Sequence, residues 1–268
     1  MFKIPRINAF LLHFAISFVV FLIPAYLIFF HWYPLPYFYS DGGWRGIKII
    51  AGVYLVLGPL LTLIVYKPGK PGLKLDLTLI GLAQAAALTW GIWVTYNERP
   101  VAIVYALDYF SPVPAKSLSN LAYPIENLAL YGNKKPVPVY VNLPENIEEQ
   151  QPFLAQSVRT KTPLYLFTDL YTKFDLESLQ ILKQNSDKLY ALLESDEEGK
   201  QLLNTFFQSH PELYNRCLFI PLHSRYKRLI IVLDASDLSY KDTLDISVTD
   251  FLHGIKHKES TTTKSQDN

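Results

Sequence analysis

Few side chains in this 268-residue chain stand where chemistry could be done. His253 and His257 are four apart and could share a helix face as metal ligands. A structural or catalytic metal needs three or four protein donors and no third lies near them, so the pair reads as solvated. His223, Ser224 and Asp234 are the residue types of a hydrolytic set. The first two fall in a turn beside Arg225, Lys227 and Arg228, and a nucleophile needs a base about 3 Å away that is itself held in place. Asp108 follows an apolar run, where capping or pairing with Arg99 is its simplest use. Cys217 is the single cysteine, which excludes an intramolecular disulfide and a cysteine-based zinc site. GxSxG, GxGxxG, HExxH and a glycine-rich phosphate loop are all missing. These residues describe a protein that is not an enzyme and that uses no cofactor or metal.

The elements that carry these residues are strongly asymmetric. Ile7–Ser40, Ile49–Tyr66 and Leu77–Asn97 contain no Asp, Glu, Lys or Arg. A helix needs about 20 mostly apolar residues to cross the hydrocarbon core, so the pattern predicts spans at about 8–30, 47–66 and 77–97. The first apolar run is too long for a cleaved signal and ends in bulky His31-Trp32-Tyr33, which reads as an uncleaved anchor. Residues 1–97 carry seven Lys/Arg against two Asp/Glu, and residues 98–268 carry 18 against 22. An acidic second half argues against nucleic acid as a partner.

Basic residues in short loops set orientation. Lys3, Arg6, Lys67, Lys70 and Lys74 lie on one side; Arg45, Arg99 and, at the edge, Lys48 lie on the other. This places the N-terminus in the cytoplasm and the second half across the membrane, in the periplasm of a bacterium. Trp32, Tyr33 and Trp44 in the first loop, and Trp90, Trp93 and Tyr96 at the end of the third span, fall at one interface, where amphipathic rings prefer to lie. Pro34 and Pro36 are expected to keep HWYPLPYFY out of a helix, along the outer leaflet.

Inside the membrane, Ala83, Ala87 and Gly91 are small residues at i, i+4 and i+8 and share one helix face, with the amide of Gln84 beside it. Such faces let helices approach closely where lipid offers no hydrophobic drive. They are expected to pack the three spans together, or to receive a partner's helix. Gly58-Pro59 sits mid-span and should kink the second helix. His13, with Ser17 one turn on, lacks the chain of ionisable neighbours a proton relay needs and is expected to make a structural hydrogen bond.

Residues 100–255 read as a small α+β domain with a mixed or antiparallel sheet, and 256–268 as a disordered polar tail. Strands are predicted at 101–107, 137–141 and 163–167, with SPVPAKSLSN as loop. Helix is predicted from Asp175, as N-cap, to Gln208, broken near Ser195. Residues 216–222 and 228–234 form a hairpin, with a last strand around 244–248.

The segment WYPLPYFYSDGGWRGIKIIAGVYLVLGPLLTLIVYKPGKPGLKLDL (32–77) resembles the TfpX/TfpZ family of type IV pilin accessory proteins. Gly42, Gly43 and Trp44 of its GGW-x-G string, GPLLTLIV, PGK, the Gln84 span, Arg99-Pro100 and VYALDYF (104–110) carry the likeness, which extends over about residues 8–110. The FIPL…LIIVLDAS hairpin matches in outline. Tyr54 stands where the family is expected to have an acidic residue. The resemblance implies an inner-membrane accessory or chaperone for a cognate major type IV pilin, touching the pilin's transmembrane helix and globular head and bordering the pilus assembly machinery and membrane lipid. The alternatives are a pilin-modifying membrane enzyme and a membrane-anchored periplasmic sensor or scaffold.

Overall fold

A computed structural model describes residues 5–144, 146–214 and 216–246. The chain divides into two compact units, Met1–Arg99 and Pro100–Asn268.

The first unit holds three apolar helices, α1 (Arg6–Trp32), α2 (Gly43–Val65) and α3 (Leu73–Asn97), of 27, 23 and 25 residues. At 1.5 Å per residue each reaches roughly 35–40 Å, enough for a hydrocarbon core of about 30 Å. The helices begin earlier than the uncharged runs. Arg45, Lys48, Lys74 and Asp76 lie on their first two turns, so charge marks the edge of the apolar stretch and not the edge of the helix. Each of the first two helices contains a widened π turn, at Ile28–Trp32 and Gly52–Leu57. His31 and Trp32 therefore belong to α1, and Tyr37–Ser40 forms one further helical turn after Pro36. Proline is compatible with a helix start because its N–H would have no partner there. The helical part of HWYPLPYFY corrects the expectation from composition.

The second unit is built on a mixed seven-stranded sheet in the order β4-β3-β1-β2-β5-β6-β7. The strands are β1 (Pro100–Ala106), β2 (Tyr109–Pro114), β3 (Val137–Val141), β4 (Tyr171–Thr172), β5 (Cys217–His223), β6 (Arg228–Asp234) and β7 (Tyr240–Leu244). β1–β3 and β2–β5 are parallel and the other pairs antiparallel. SPVPAKSLSN is therefore not loop: its first four residues complete β2 and Ala115–Asn120 is a short helix. Prolines hide such a strand because they donate nothing to a ladder. β2 joins β5 at the single pair Phe110↔Leu222, because the strands are staggered: β2 begins one residue before that pair and β5 ends one residue after it. The expected strand at 163–167 is a 3-10 turn at Leu164–Leu166, and the neighbour of β3 is Tyr171–Thr172. Only Leu164 of that run is buried, so it lacks the alternation a strand needs. The last strand ends at Leu244, earlier than expected. Residues 247–268, with His253, His257 and the polar tail, lie outside the described residues.

Three longer helices lie between strands in the sequence. α4 (Ile147–Thr160) is capped by Asn146, whose side chain accepts from the Glu148 N–H at 2.9 Å, and it buries no residue fully. α5 (Leu176–Ser195) starts at a capping box: Asp175 accepts from the Ser178 N–H at 2.8 Å and Ser178 Oγ accepts from the Asp175 N–H. α6 (Glu197–Ser209) restarts after Asp196, whose extended backbone breaks the helix and whose carboxylate accepts from the Glu198 N–H at 3.0 Å. Gly199 is needed there because a Cβ would strike the Leu193 backbone. Leu189, Leu193, Leu203 and Phe206 of these two helices form a core with Phe219, Ile230 and Val232.

The β1–β2 turn is unusual. Leu107 and Asp108 both have positive φ, 51° and 66°. A two-residue turn of this kind favours Asn-Gly, and a left-handed non-glycine residue costs roughly 1–2 kcal/mol. Asn185 of α5 holds it: its Nδ2 donates to Asp108 Oδ1 at 2.7 Å and to the Tyr105 hydroxyl at 3.0 Å. The next residue, Ser186, is buried and accepts the Phe219 N–H of β5 at 2.8 Å. Ser186→Ala removes that acceptor and leaves a buried N–H without a partner. The expected loss is about 1–3 kcal/mol, read as a lower denaturation midpoint by circular dichroism of the detergent-solubilised protein.

Candidate functional site

The polar atoms of the first unit gather where its three helices meet. In α2, the Gly58 N–H bonds the Val53 carbonyl, one register wider than an α-helix. In the same widened register the Tyr54 carbonyl would receive the N–H of residue 59, and Pro59 has none. Gln84 of α3 supplies the missing donor: its Nε2 lies 3.2 Å from the Tyr54 carbonyl oxygen. Gly58 makes room for it, because a Cβ there would fall on the Gln84 amide itself. Gly58, Pro59 and Gln84 are all buried. A peptide carbonyl in hydrocarbon has no water to turn to, so this side-chain contact replaces what the helix gave up.

One turn beyond Gly58 on α2, Thr62 Oγ1 lies 2.5 Å from His13 Nδ1 of α1, with Ser17 buried one turn away on α1. The hydrogen bond expected of His13 thus has a partner on another helix. The two contacts tie α2 to both of its neighbours.

The sequence-predicted small face is divided by the structure. Gly91 faces inward, where a Cβ would come within 3.0 Å of Ile50 Cγ1. Ala87 is half-buried and Ala83 exposed. The inward side of α3 runs instead through Gln84, Leu88, Gly91 and Thr95, whose spacing of four, three and four keeps them on one stripe. Ala83 and Ala87 lie along its flank. A separate open hollow lies on α3 between Leu82 and the Trp90–Trp93 ring pair, floored by Ala85, Ala86 and Thr89.

The GGW-x-G string organises the other end of the helices. Gly42 has φ 118°, a left-handed turn into α2. Gly43 fits where a Cβ would come within 2.8 Å of Phe38 Cδ2 and 2.9 Å of Tyr33 Cβ, and Gly46 faces Thr95. Tyr33 is buried and its hydroxyl donates to the Thr95 carbonyl at 3.1 Å. Trp32 meets Tyr96 edge-to-face, Trp44 is largely exposed, and Arg99 lies over the Tyr96 ring at 3.6 Å. The aromatic residues thus close one end of the bundle.

The residues weighed for catalysis are not brought together. His223 pairs with Arg228 at one end of the β5–β6 hairpin, and Asp234 pairs with Cys217 at the other, roughly 20 Å away at the usual strand rise. Asp234 accepts from the Ser236 hydroxyl at 2.6 Å and lies 3.4 Å from Lys241. Asp108 meets Asn185, a partner no local pattern indicated. Among the described residues no group of three or more His, Cys, Asp or Glu is placed to hold a metal.

Gln84→Leu is expected to destabilise the bundle by about 1 kcal/mol, read as easier unfolding in mixed detergent micelles. Gly58→Ala should do the same by displacing the amide. The two costs should not add: with Gln84 already shortened to Ala, the methyl group at 58 has nothing to displace, and the pair shows positive coupling in a double-mutant cycle.

Part of the sequence is similar to fimbrial assembly proteins. The family model for the fimbrial assembly protein FimB matches residues 2–42. A fimbrial assembly protein of serogroup E1 from Dichelobacter nodosus is 44% identical over 100 residues, 36% of this chain and 38% of that protein. A fimbrial assembly protein of serogroups C1 and C2 from the same organism is 41% identical over 100 residues, 36% of this chain and 76% of that protein. The match thus spans well under half of the first relative and most of the second. No solved structure matches. With three-quarters of a 41% identical relative covered, the chain belongs to the fimbrial assembly protein family.

Proposed function

We propose that this chain is an inner-membrane accessory protein of pilus assembly, of the TfpX/TfpZ kind, which helps its cognate major pilin to reach the surface fibre. Its kinship with fimbrial assembly proteins is the observation that carries this reading. The basic loops favour a cytoplasmic N-terminus and a periplasmic second unit. In this reading the protein is a chaperone and not an enzyme. It meets the pilin twice, at the pilin's membrane helix and at its globular head. Exposed Ala83 and half-buried Ala87 offer the helix contact, beside a polar seam that fixes how α2 and α3 sit together. Small side chains let a second backbone come close where lipid supplies no hydrophobic drive.

Deleting the gene is expected to abolish surface pili while leaving the pilin's mass unchanged, with intact protein and pilin co-purifying from detergent. Normal surface display in the deletion strain overturns the reading, and a changed pilin mass points to a modifying enzyme instead. Within the membrane, Ala87→Leu should reduce surface pili without preventing insertion, whereas Ala85→Leu, in the hollow on the other side of α3, should not. Equal pilus yields in the two variants remove the helix contact from Ala87.

A further inference from the structure

α4 differs from the other long helices of the second unit. α5 and α6 each bury a leucine face in the core, whereas α4 buries no residue fully. Gln150, Phe153 and Ser157 are its half-buried residues, and their spacing of three and four puts them on one side of the helix. A second side is apolar and faces outward. Ile147, Leu154 and Val158 are 72%, 38% and 80% exposed. Steps of seven and four residues keep these three within about 40° of one another around the helix.

Charge flanks this stripe. Glu148 and Arg159 each follow a stripe residue, Ile147 and Val158, so they lie on one flank with an acid at one end and a base at the other. Both are exposed, and neither makes an ion pair within the described residues. The helix dipole accounts for acid at the start and base at the end. It gives no reason for three apolar side chains to stand in water on the adjoining face.

The face is complementary to itself. Two copies of α4 laid antiparallel, with a two-fold axis near Leu154, bring Leu154 against Leu154 and Ile147 close to Val158. The same operation sets Glu148 of each copy beside Arg159 of the other, so two ion pairs form at once. Parallel packing would instead oppose like charges at both ends. A helix lying on a membrane surface carries an excess of Lys and Arg, whereas α4 has Glu148 and Glu149 balanced by Arg159 and, at its C-cap, Lys161.

We infer that the exposed face of α4 is where the second unit pairs with a second copy of this chain, in an antiparallel two-fold contact centred near Leu154. A pair of helices about four turns long buries far less than the roughly 1,600 Å² of a standard interface, so the contact is weak between separate domains. Copies anchored in one membrane by their apolar helices meet at a raised effective concentration, which lets so small a contact form.

The test uses the full-length protein in its own membrane. A photo-cross-linking amino acid at position 154 should give a covalent dimer of the chain, and the same group at position 156, on the opposite side of α4, should not. Glu148→Arg and Arg159→Glu, each expressed alone, place like charges at both contacts and should cut the dimer yield at 154 about tenfold. Co-expressed with different affinity tags, the two variants regain opposite charges at both contacts, and the cross-link between them should return to the unsubstituted yield. A purely local effect on the helix would persist in the mixture. No pilin is needed for this contact, so a strain lacking the pilin should give the same dimer. Cross-links at 154 to another protein or to lipid overturn the inference, as do equal yields at 154 and 156 or a mixture that is not restored.

Discussion

A single peptide carbonyl sets the terms for the membrane unit. Pro59 cannot serve Tyr54, the helix widens to a π turn before it, and Gln84 reaches across from α3 to take the place of the missing N–H. Hydrocarbon makes this contact consequential, because an unmet carbonyl has no water as an alternative. The glycine at 58, the orientation of α3 and the inward stripe through Leu88, Gly91 and Thr95 all follow from letting that amide in. The His13–Thr62 bond on the other side of α2 then leaves the middle helix with a polar tie in each direction.

The second unit solves a different weakness. Its β1–β2 and β5–β6 hairpins share one ladder pair, since β2 and β5 overlap only where one begins and the other ends. Consecutive residues of α5 compensate. Asn185 holds the tip of one hairpin and Ser186 accepts from a strand of the other. The helix thus acts as a clasp across the weak seam, and its capping box and its leucine face against Phe219 and Val232 fix where the clasp sits.

Much of this was legible in the sequence, and the exceptions have physical causes. Three spans, the Asp175 cap, the break near Ser195 and the β5–β6 hairpin follow from charge, capping chemistry and alternation. The inward face of α3 did not follow from small residues alone. Ala83 and Gly91 satisfy the same spacing, but only an unmet carbonyl on another helix tells which way Gln84 must turn. β2 was hidden by its prolines, and α4 by a composition that buries no side chain fully. The PLYLF run was misread because an apolar string bounded by Pro163 reads the same in a strand as in a 3-10 turn. Asn185 gave no local signal, since its partners lie 77 and 80 residues away.

The close fit of Gln84 over Gly58 also bears on descent. Glycine at 58 is demanded by the amide, and the amide is demanded by the proline that follows the glycine. The three positions therefore form one interdependent set spread over two helices. A lineage that loses the proline releases the glutamine, and one that loses the glutamine releases the glycine. Drift should enter this bundle in that order, and seldom in reverse.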